Sequence, residues 1–158
     1  MQTQIHIDFN ILSWNLNGIK RKFSSEYVHD ILKKFDIVVI SESHLNIRDK
    51  CPEEFMFIGR SKPIKSEKTR GGVALYRRMN SVIDFEIVSD ELRDCVVFRL
   101  LPVDIVVAAM YIPPSNSKYH TPHYMENLQL LLSTFKDTPK YIVGRHEGSL
   151  WGAIEQKK

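Results

Sequence analysis

Cysteine is scarce in this chain, with Cys51 and Cys95 the only two among 158 residues. Two cysteines cannot build a disulfide framework, which agrees with a reducing compartment. They also leave too few thiols for a structural zinc cluster. Long apolar runs are missing as well: the longest, around residues 37–40 and 105–112, fall far short of what a membrane-spanning helix needs. The opening Met1-Gln2-Thr3-Gln4 has no basic segment leading into an apolar one, so no secretory signal is expected. Nor does one sign of charge dominate, since 22 basic residues against 19 acidic leave a formal +3. That balance permits a nucleic-acid partner without arguing for one. The short basic runs Lys20-Arg21-Lys22, Lys68-Thr69-Arg70 and Arg77-Arg78 read first as solvated faces. What remains is ordinary globular material, 43% hydrophobic and 26% charged, which excludes disordered and fibrous classes. With no internal repeat or linker, a chain of this length is expected to form one intracellular domain.

The order of periodicities says more than the composition. Residues 9–14 are rich in apolar and aromatic side chains and read as a strand leading to the turn signal Asn17-Gly18. Ser24 or Ser25 can cap a helix whose apolar face carries Tyr27, Val28, Ile31, Leu32 and Phe35. Residues 37–40, Ile-Val-Val-Ile, suit a strand buried on both faces. Strand, helix, strand is a βαβ unit, so these two strands are predicted to be parallel neighbours. Residues 55–58, 72–76, 82–88, 95–100 and 105–111 then read as a meander of largely antiparallel strands. Pro113-Pro114 stops the last of them. A helix over 124–135 follows, with Leu128, Leu131, Leu132 and Phe135 as its stripe. Tyr141-Ile142-Val143 reads as one more buried strand ending at Gly144. Little beyond Gly144 offers such a strand a neighbour, so the sheet is expected to be unfinished there.

Two strand exits carry polar groups that a bare scaffold does not need. Asn15-Leu16-Asn17-Gly18 follows Trp14, and Ser41-Glu42-Ser43-His44 follows Ile40. In a parallel pair both exits lie at the same edge, where open α/β sheets bind ligands. Amide and carboxylate oxygens are hard ligands suited to Mg²⁺ or Mn²⁺ rather than zinc. The plainer readings are an Asx turn for Asn15 and Asn17 and a solvated strand end for Glu42.

Ser13-Trp14-Asn15-Leu16-Asn17-Gly18 resembles the opening motif of the endonuclease/exonuclease/phosphatase family, and residues 35–45, through Glu42-Ser43-His44-Leu45, resemble its second. Three further segments are similar in the same order: Arg70-Gly71-Gly72-Val73-Ala74-Leu75-Tyr76, Met110-Tyr111-Ile112-Pro113-Pro114-Ser115, and Tyr141-Ile142-Val143-Gly144. The spellings are most similar to the endonuclease domains of non-LTR (LINE-type) retrotransposons. The resemblance covers residues 9–144 and implies part of a four-layer α/β/β/α sandwich. It further implies an incomplete domain over 1–147, with a tail over 148–158 outside the family pattern. By the same resemblance Asn15 and Glu42 are metal ligands for Mg²⁺ or Mn²⁺, weakly held. Tyr111 faces the scissile phosphate, and Asn17 lies near the nucleic-acid backbone. The implied partner is DNA, the reaction phosphodiester hydrolysis, and the address nuclear; no membrane is involved. A metal on hard oxygens polarises a phosphate, and an aromatic hydroxyl adds a hydrogen bond to developing charge. For Tyr111 alone, a strand-end tyrosine packed beside Pro113 is an equal reading.

The departures bear on activity. Where the family has aspartate, an aromatic and asparagine after its glycine, this chain has Arg145, His146 and Glu147. Arginine cannot be deprotonated in a protein and so cannot orient or activate a water. The family's later aspartate–histidine pair has no counterpart here, and little or no catalysis is expected. The alternatives are a degenerate nucleic-acid or protein-binding module and a gene-model fragment without function. Other polar residues take plain readings: His44 a loop histidine, His120 and His123 capping or surface residues, Cys51 and Cys95 inert thiols, and Gly71-Gly72 a tight turn.

Overall fold

The computed structural model describes residues 7–15, 22, 24–41, 53–60, 72–113, 116, 122–146 and 149–151. The expected βαβ unit opens it: β1 (Ile11–Asn15), α1 (Glu26–Leu32) and β2 (Ile37–Ser41), with the strands parallel from Ile11↔Ile37 to Asn15↔Ser41. Of the two candidate caps, Ser25 does the work. Its backbone is extended, and its hydroxyl accepts a bond from the Val28 amide at 3.5 Å. The helix is shorter than the apolar stripe suggests. Lys34 and Phe35 bond back to Ile31 and Leu32, so the last turn tightens instead of continuing.

β3 (Phe55–Arg60) and β4 (Val73–Arg78) form an antiparallel pair that joins this first sheet, in the order β1-β2-β4-β3. The chain then changes sheets. β5 (Asp84–Ser89), β6 (Cys95–Leu101) and β7 (Ile105–Tyr111) make an antiparallel meander. After α2 (Tyr124–Leu132), β8 (Lys140–His146) lies parallel to β7, giving a second βαβ unit. The predicted five-strand meander is therefore split between two sheets. Its third strand begins at Asp84 rather than at Val82, because residues 81–83 are held as a loop. Arg77 donates from Nε to the Ile83 carbonyl at 2.6 Å and from Nη2 to the Ser81 carbonyl at 2.8 Å. Those carbonyls are thereby taken up by a side chain instead of a ladder.

The strand alternation sorts the apolar residues into four layers. Ile37, Val39, Val73 and Leu75 of the first sheet meet Val96, Phe98, Leu100, Val107, Ala109 and Val143 of the second between the sheets. The opposite face of the first sheet, with Val38, Ile40, Ala74 and Tyr76, is covered by Val28 and Leu32 of α1. On the outside of the second, Val97, Val106, Ala108 and Met110 lie under Tyr124, Leu128 and Leu132 of α2. β2 is buried along its whole length, as the unbroken apolar run requires. No helix among the described residues is long and apolar enough to cross a membrane.

Two expectations about the end of the second sheet are corrected. β8 does not stop at Gly144 but runs on to His146, and β9 (Ser149–Trp151) pairs antiparallel with it, from Gly144↔Trp151 to His146↔Ser149. Gly144 carries the strand through because its φ of +141° and its closeness to β7 suit only a residue without Cβ. A Cβ there would run into the Met110 carbonyl. Once β8 is extended, its outer edge is free for residues from the tail.

At the end where β2 begins, Asp36 ties three segments together. Its carboxylate accepts from Ser81 Oγ at 2.6 Å, Arg78 Nη2 at 3.0 Å and the Asn10 amide at 3.0 Å. Burial of a carboxylate is tolerated because both of its oxygens have donors, one of them a cation. This cluster lies at the opposite end of β2 from the polar exits, and it holds the sandwich rather than a ligand.

Candidate functional site

The two sheets present their strand exits at one end. Asn15 and Ser41 are register partners at the exits of β1 and β2, and Ser41 is in turn opposite Val73 at the start of β4. In the second sheet, Met110 at the exit of β7 is opposite Cys95 at the start of β6. One residue joins these ends. Asp94, just ahead of β6, accepts a bond on its Oδ1 from the amide of Gly72, just ahead of β4, at 3.0 Å. Its backbone carbonyl accepts from the Tyr111 amide at 2.9 Å. Asp94 is buried and sits at a φ of 51°, a left-handed conformation that aspartate adopts more readily than most side chains. Arg93 Nε lies 3.6 Å from its other carboxylate oxygen, so the buried charge has a counter-ion.

Alternation along β1 places Leu12 and Trp14 against α1 and Asn15 on the side facing the second sheet. Tyr111 is half-buried and packs against the core between the sheets. The structure therefore brings Asn15 and Tyr111 to the same end of the sandwich, one on each sheet. Glu42 and Asn17 lie outside the described residues, as do His44, Cys51, His120 and Glu147. Glu42 directly follows Ser41, which is buried beside Asn15 in the register. The donor types at this exit, an amide oxygen and a carboxylate, fit a hard divalent cation. Among the described residues, no cluster of three or more His, Cys, Asp and Glu is assembled. On the second sheet, Arg145 of β8 is the register partner of Tyr111.

Asp94 is the residue that sequence reasoning missed. An aspartate before a β-branched run marks an ordinary turn as readily as a tie between sheets, so no local signal distinguishes it. His123 precedes α2 at a φ of 58° and makes no side-chain cap; its Nδ1 lies 3.8 Å from Glu126 Oε1 on an exposed face. Cys95 is buried beneath α2, and burial pushes its thiol up to about 12. Tyr124 is raised as well, by burial first and then by the neighbouring Cys95, and its hydroxyl reaches the Asp94 carbonyl at 3.4 Å. Both groups stay protonated and serve packing, in keeping with an inert thiol.

No protein-family model matches the chain, and no curated protein matches it. Solved structures do. The endonuclease domain of TRAS1, a telomere-specific non-LTR retrotransposon, aligns over 87% of this chain and 58% of its own, with a TM-score of 0.56 at 13% identity. A 3′ phosphatase, NExo, from Neisseria, solved with a product DNA hairpin, aligns over 87% and 57%, with a TM-score of 0.54 at 19% identity. An AP endonuclease from Archaeoglobus fulgidus aligns over 87% and 56%, with a TM-score of 0.50 at 22% identity. The chain thus spans somewhat more than half the length of each. With two facing sheets, each covered by one helix, and these alignments to solved structures, the chain has the fold of the endonuclease/exonuclease/phosphatase family.

Proposed function

We propose that the shared strand-exit edge is a phosphodiester site for DNA, built on the plan of a metal-dependent endonuclease from a retrotransposon-like protein, and that this chain binds without cutting. The observation that carries the reading is the tie through Asp94, which sets the exits of β1 and β2 beside that of β7. Asn15 and Glu42 would hold Mg²⁺ or Mn²⁺, Tyr111 would offer its hydroxyl to the phosphate, and Asn17 would sit by the nucleic-acid backbone. Such an ion, when bound, polarises a phosphate and steadies a leaving oxyanion. The side chains prepare the same atoms: an amide and a phenol orient the phosphate through hydrogen bonds that carry no charge of their own.

What fails is the supply of a base. The register neighbour of Tyr111 is Arg145, in the place where the resemblance calls for an aspartate to orient the attacking water. A permanent cation accepts no proton and repels a divalent ion. Activity is lost while attraction for phosphate is kept, which favours a binding module over a hydrolase. An intracellular and nuclear address accords with that reading.

The test is incubation with supercoiled plasmid and Mg²⁺ or Mn²⁺, read on a gel. Retarded but uncut plasmid is expected, and Arg145→Asp combined with Glu147→Asn should not restore nicking, because members of a catalytic unit act together. Nicking that vanishes in Glu42→Ala would overturn the non-cleaving reading. Absence of any DNA binding would overturn the site itself.

A further inference from the structure

We infer that the seam between the edge strands β3 and β5 is a docking surface for a basic, amphipathic segment of a partner protein. The seam runs along a side of the sandwich that bears neither Asn15 nor Tyr111, so the inference does not rest on the phosphodiester reading. Two observations support it: where apolar side chains are left exposed, and what charge surrounds them.

β3 ends the first sheet and β5 ends the second, and the two edges lie against each other. A Cβ added at Gly59 of β3 would sit 3.5 Å from Ile87 Cδ1 of β5. Residues 79–83, which cross from one sheet to the other, close one end of this seam. There the Met79 amide donates to the Glu54 carbonyl at 2.8 Å. Arg77, the register partner of Met56, has its Nε 3.9 Å from Asp84 Oδ1. Of the eight large apolar side chains exposed among the described residues, four gather here: Met56 at 46%, Met79 at 54%, Val82 at 69% and Ile87 at 37%. The other four are spread over α1, α2 and β8. Exposed apolar residues scattered singly need no explanation, whereas a group of them marks an interaction surface. Two of the four are methionines, whose flexible side chains adapt to the shape of a partner.

Charge decides the partner. The whole chain carries a formal +3, yet residues 79–92 hold Asp84, Glu86, Asp90 and Glu91 and no base. Asp84 and Glu86 are exposed on β5. The cation beside them, Arg77, is turned inward, with Nε and Nη2 donating to the Ile83 and Ser81 carbonyls. Such a rim repels phosphate and attracts lysine and arginine. The complement is a polypeptide that pairs an apolar stripe with basic side chains, not a nucleic acid. It docks through side chains rather than by adding a strand. Each edge is broken by a bulge, between Phe57 and Gly59 on β3 and between Ile87 and Ser89 on β5. The Phe85 amide, moreover, is already taken by Asp84 Oδ1 at 2.8 Å. An amphipathic helix, whose apolar anchors recur three and four residues apart, meets both demands.

The experiment is fluorescence anisotropy of a labelled model helix, leucine on one face and lysine on the other, titrated with the whole chain. The same helix with glutamate in place of lysine is the reference. Saturable binding of the lysine helix is expected, weakening as salt rises. Met56→Ser combined with Ile87→Ser should weaken it roughly tenfold or more, and so should Asp84→Lys combined with Glu86→Lys. Leu130→Ser is the control, because Leu130 is 72% exposed on α2, outside the seam. Circular dichroism on each variant keeps loss of fold apart from loss of contact. Should the double serine variant fail to fold, Val82→Ser, outside any strand, decides by a loss of about threefold or more. No binding of the lysine helix, equal binding of the glutamate helix, unchanged affinity in the seam variants or an equal loss in Leu130→Ser would each overturn the inference. Self-association of the parent chain that the double serine variant abolishes would overturn it too, by giving the seam to a second copy. Plasmid retardation is a separate readout: its absence overturns the DNA reading and leaves this inference in place.

Discussion

Asp94 reaches from the second sheet to the first: its Oδ1 accepts the amide proton of Gly72 at 3.0 Å, across 22 residues of sequence. The same residue receives the Tyr111 amide on its carbonyl, so the position of the tyrosine and the closure of the sandwich at this end are set together. Substituting it changes both.

Asp94→Ala should cost about 2–3 kcal/mol of stability, from an orphaned Gly72 amide and from a non-glycine residue at a φ of 51°. Asp94→Asn should cost less than about 1 kcal/mol, since an amide oxygen can accept the same bond and asparagine tolerates the left-handed region. Asp94→Gly relaxes the backbone but still loses the acceptor, and should fall between the two. Urea denaturation of the three variants gives the order, and an Ala variant as stable as the Asn variant would remove the tie from the account.

Gly144→Ala should be far more severe. The added Cβ meets the Met110 carbonyl, and alanine is strained at a φ of +141°. The pairing of β7 with β8 must then open at the exit, with an expected loss of at least about 4 kcal/mol or no folded chain at all. A cooperative melt close to that of the parent would show that β8 leaves β7 before Gly144.

The buried thiol of Cys95 predicts a chemical and a pH signature. With its titration pushed up from an ordinary 9.0 to about 12, it should stay unreactive toward a disulfide reagent at about pH 8, and react only when guanidinium unfolds the chain. A Cys51→Ser background removes the other thiol from the readout. Stability should be full below about pH 9, where the thiol is protonated in both folded and unfolded chains. Above it the unfolded thiol ionises and the folded one does not, so the contribution is lost as pH rises toward about 12, at up to about 1.4 kcal/mol per pH unit. Tyr124 is shifted in the same direction and steepens the fall above its ordinary value of 10.0. Guanidinium midpoints measured across this range check the slope, and a flat profile would mean that the thiol sees water.

Most of the elements and their kinds follow from the letters alone, because they depend on neighbours a few residues apart. The spacing of Val28 and Leu32 makes one helix face and the run Ile37-Val38-Val39-Ile40 a strand buried on both sides, both legible in the letters, whereas the cap was narrowed only to Ser24 or Ser25 and the structure decides for Ser25. The resemblance carried by the strand exits led to the right four-layer plan, and the exits of β1 and β7 that bear Asn15 and Tyr111 do lie at one end. Only the tertiary structure decided which strands share a sheet, that β8 runs through Gly144 to meet β9, and that Asp94 joins the sheets beside Tyr111. The physical reason is that these depend on backbone groups meeting across long stretches of chain. A Gly72 amide or a Met110 carbonyl has the same chemistry in every residue type, so nothing in the letters marks the one that Asp94 will bind or that a Cβ at position 144 would strike.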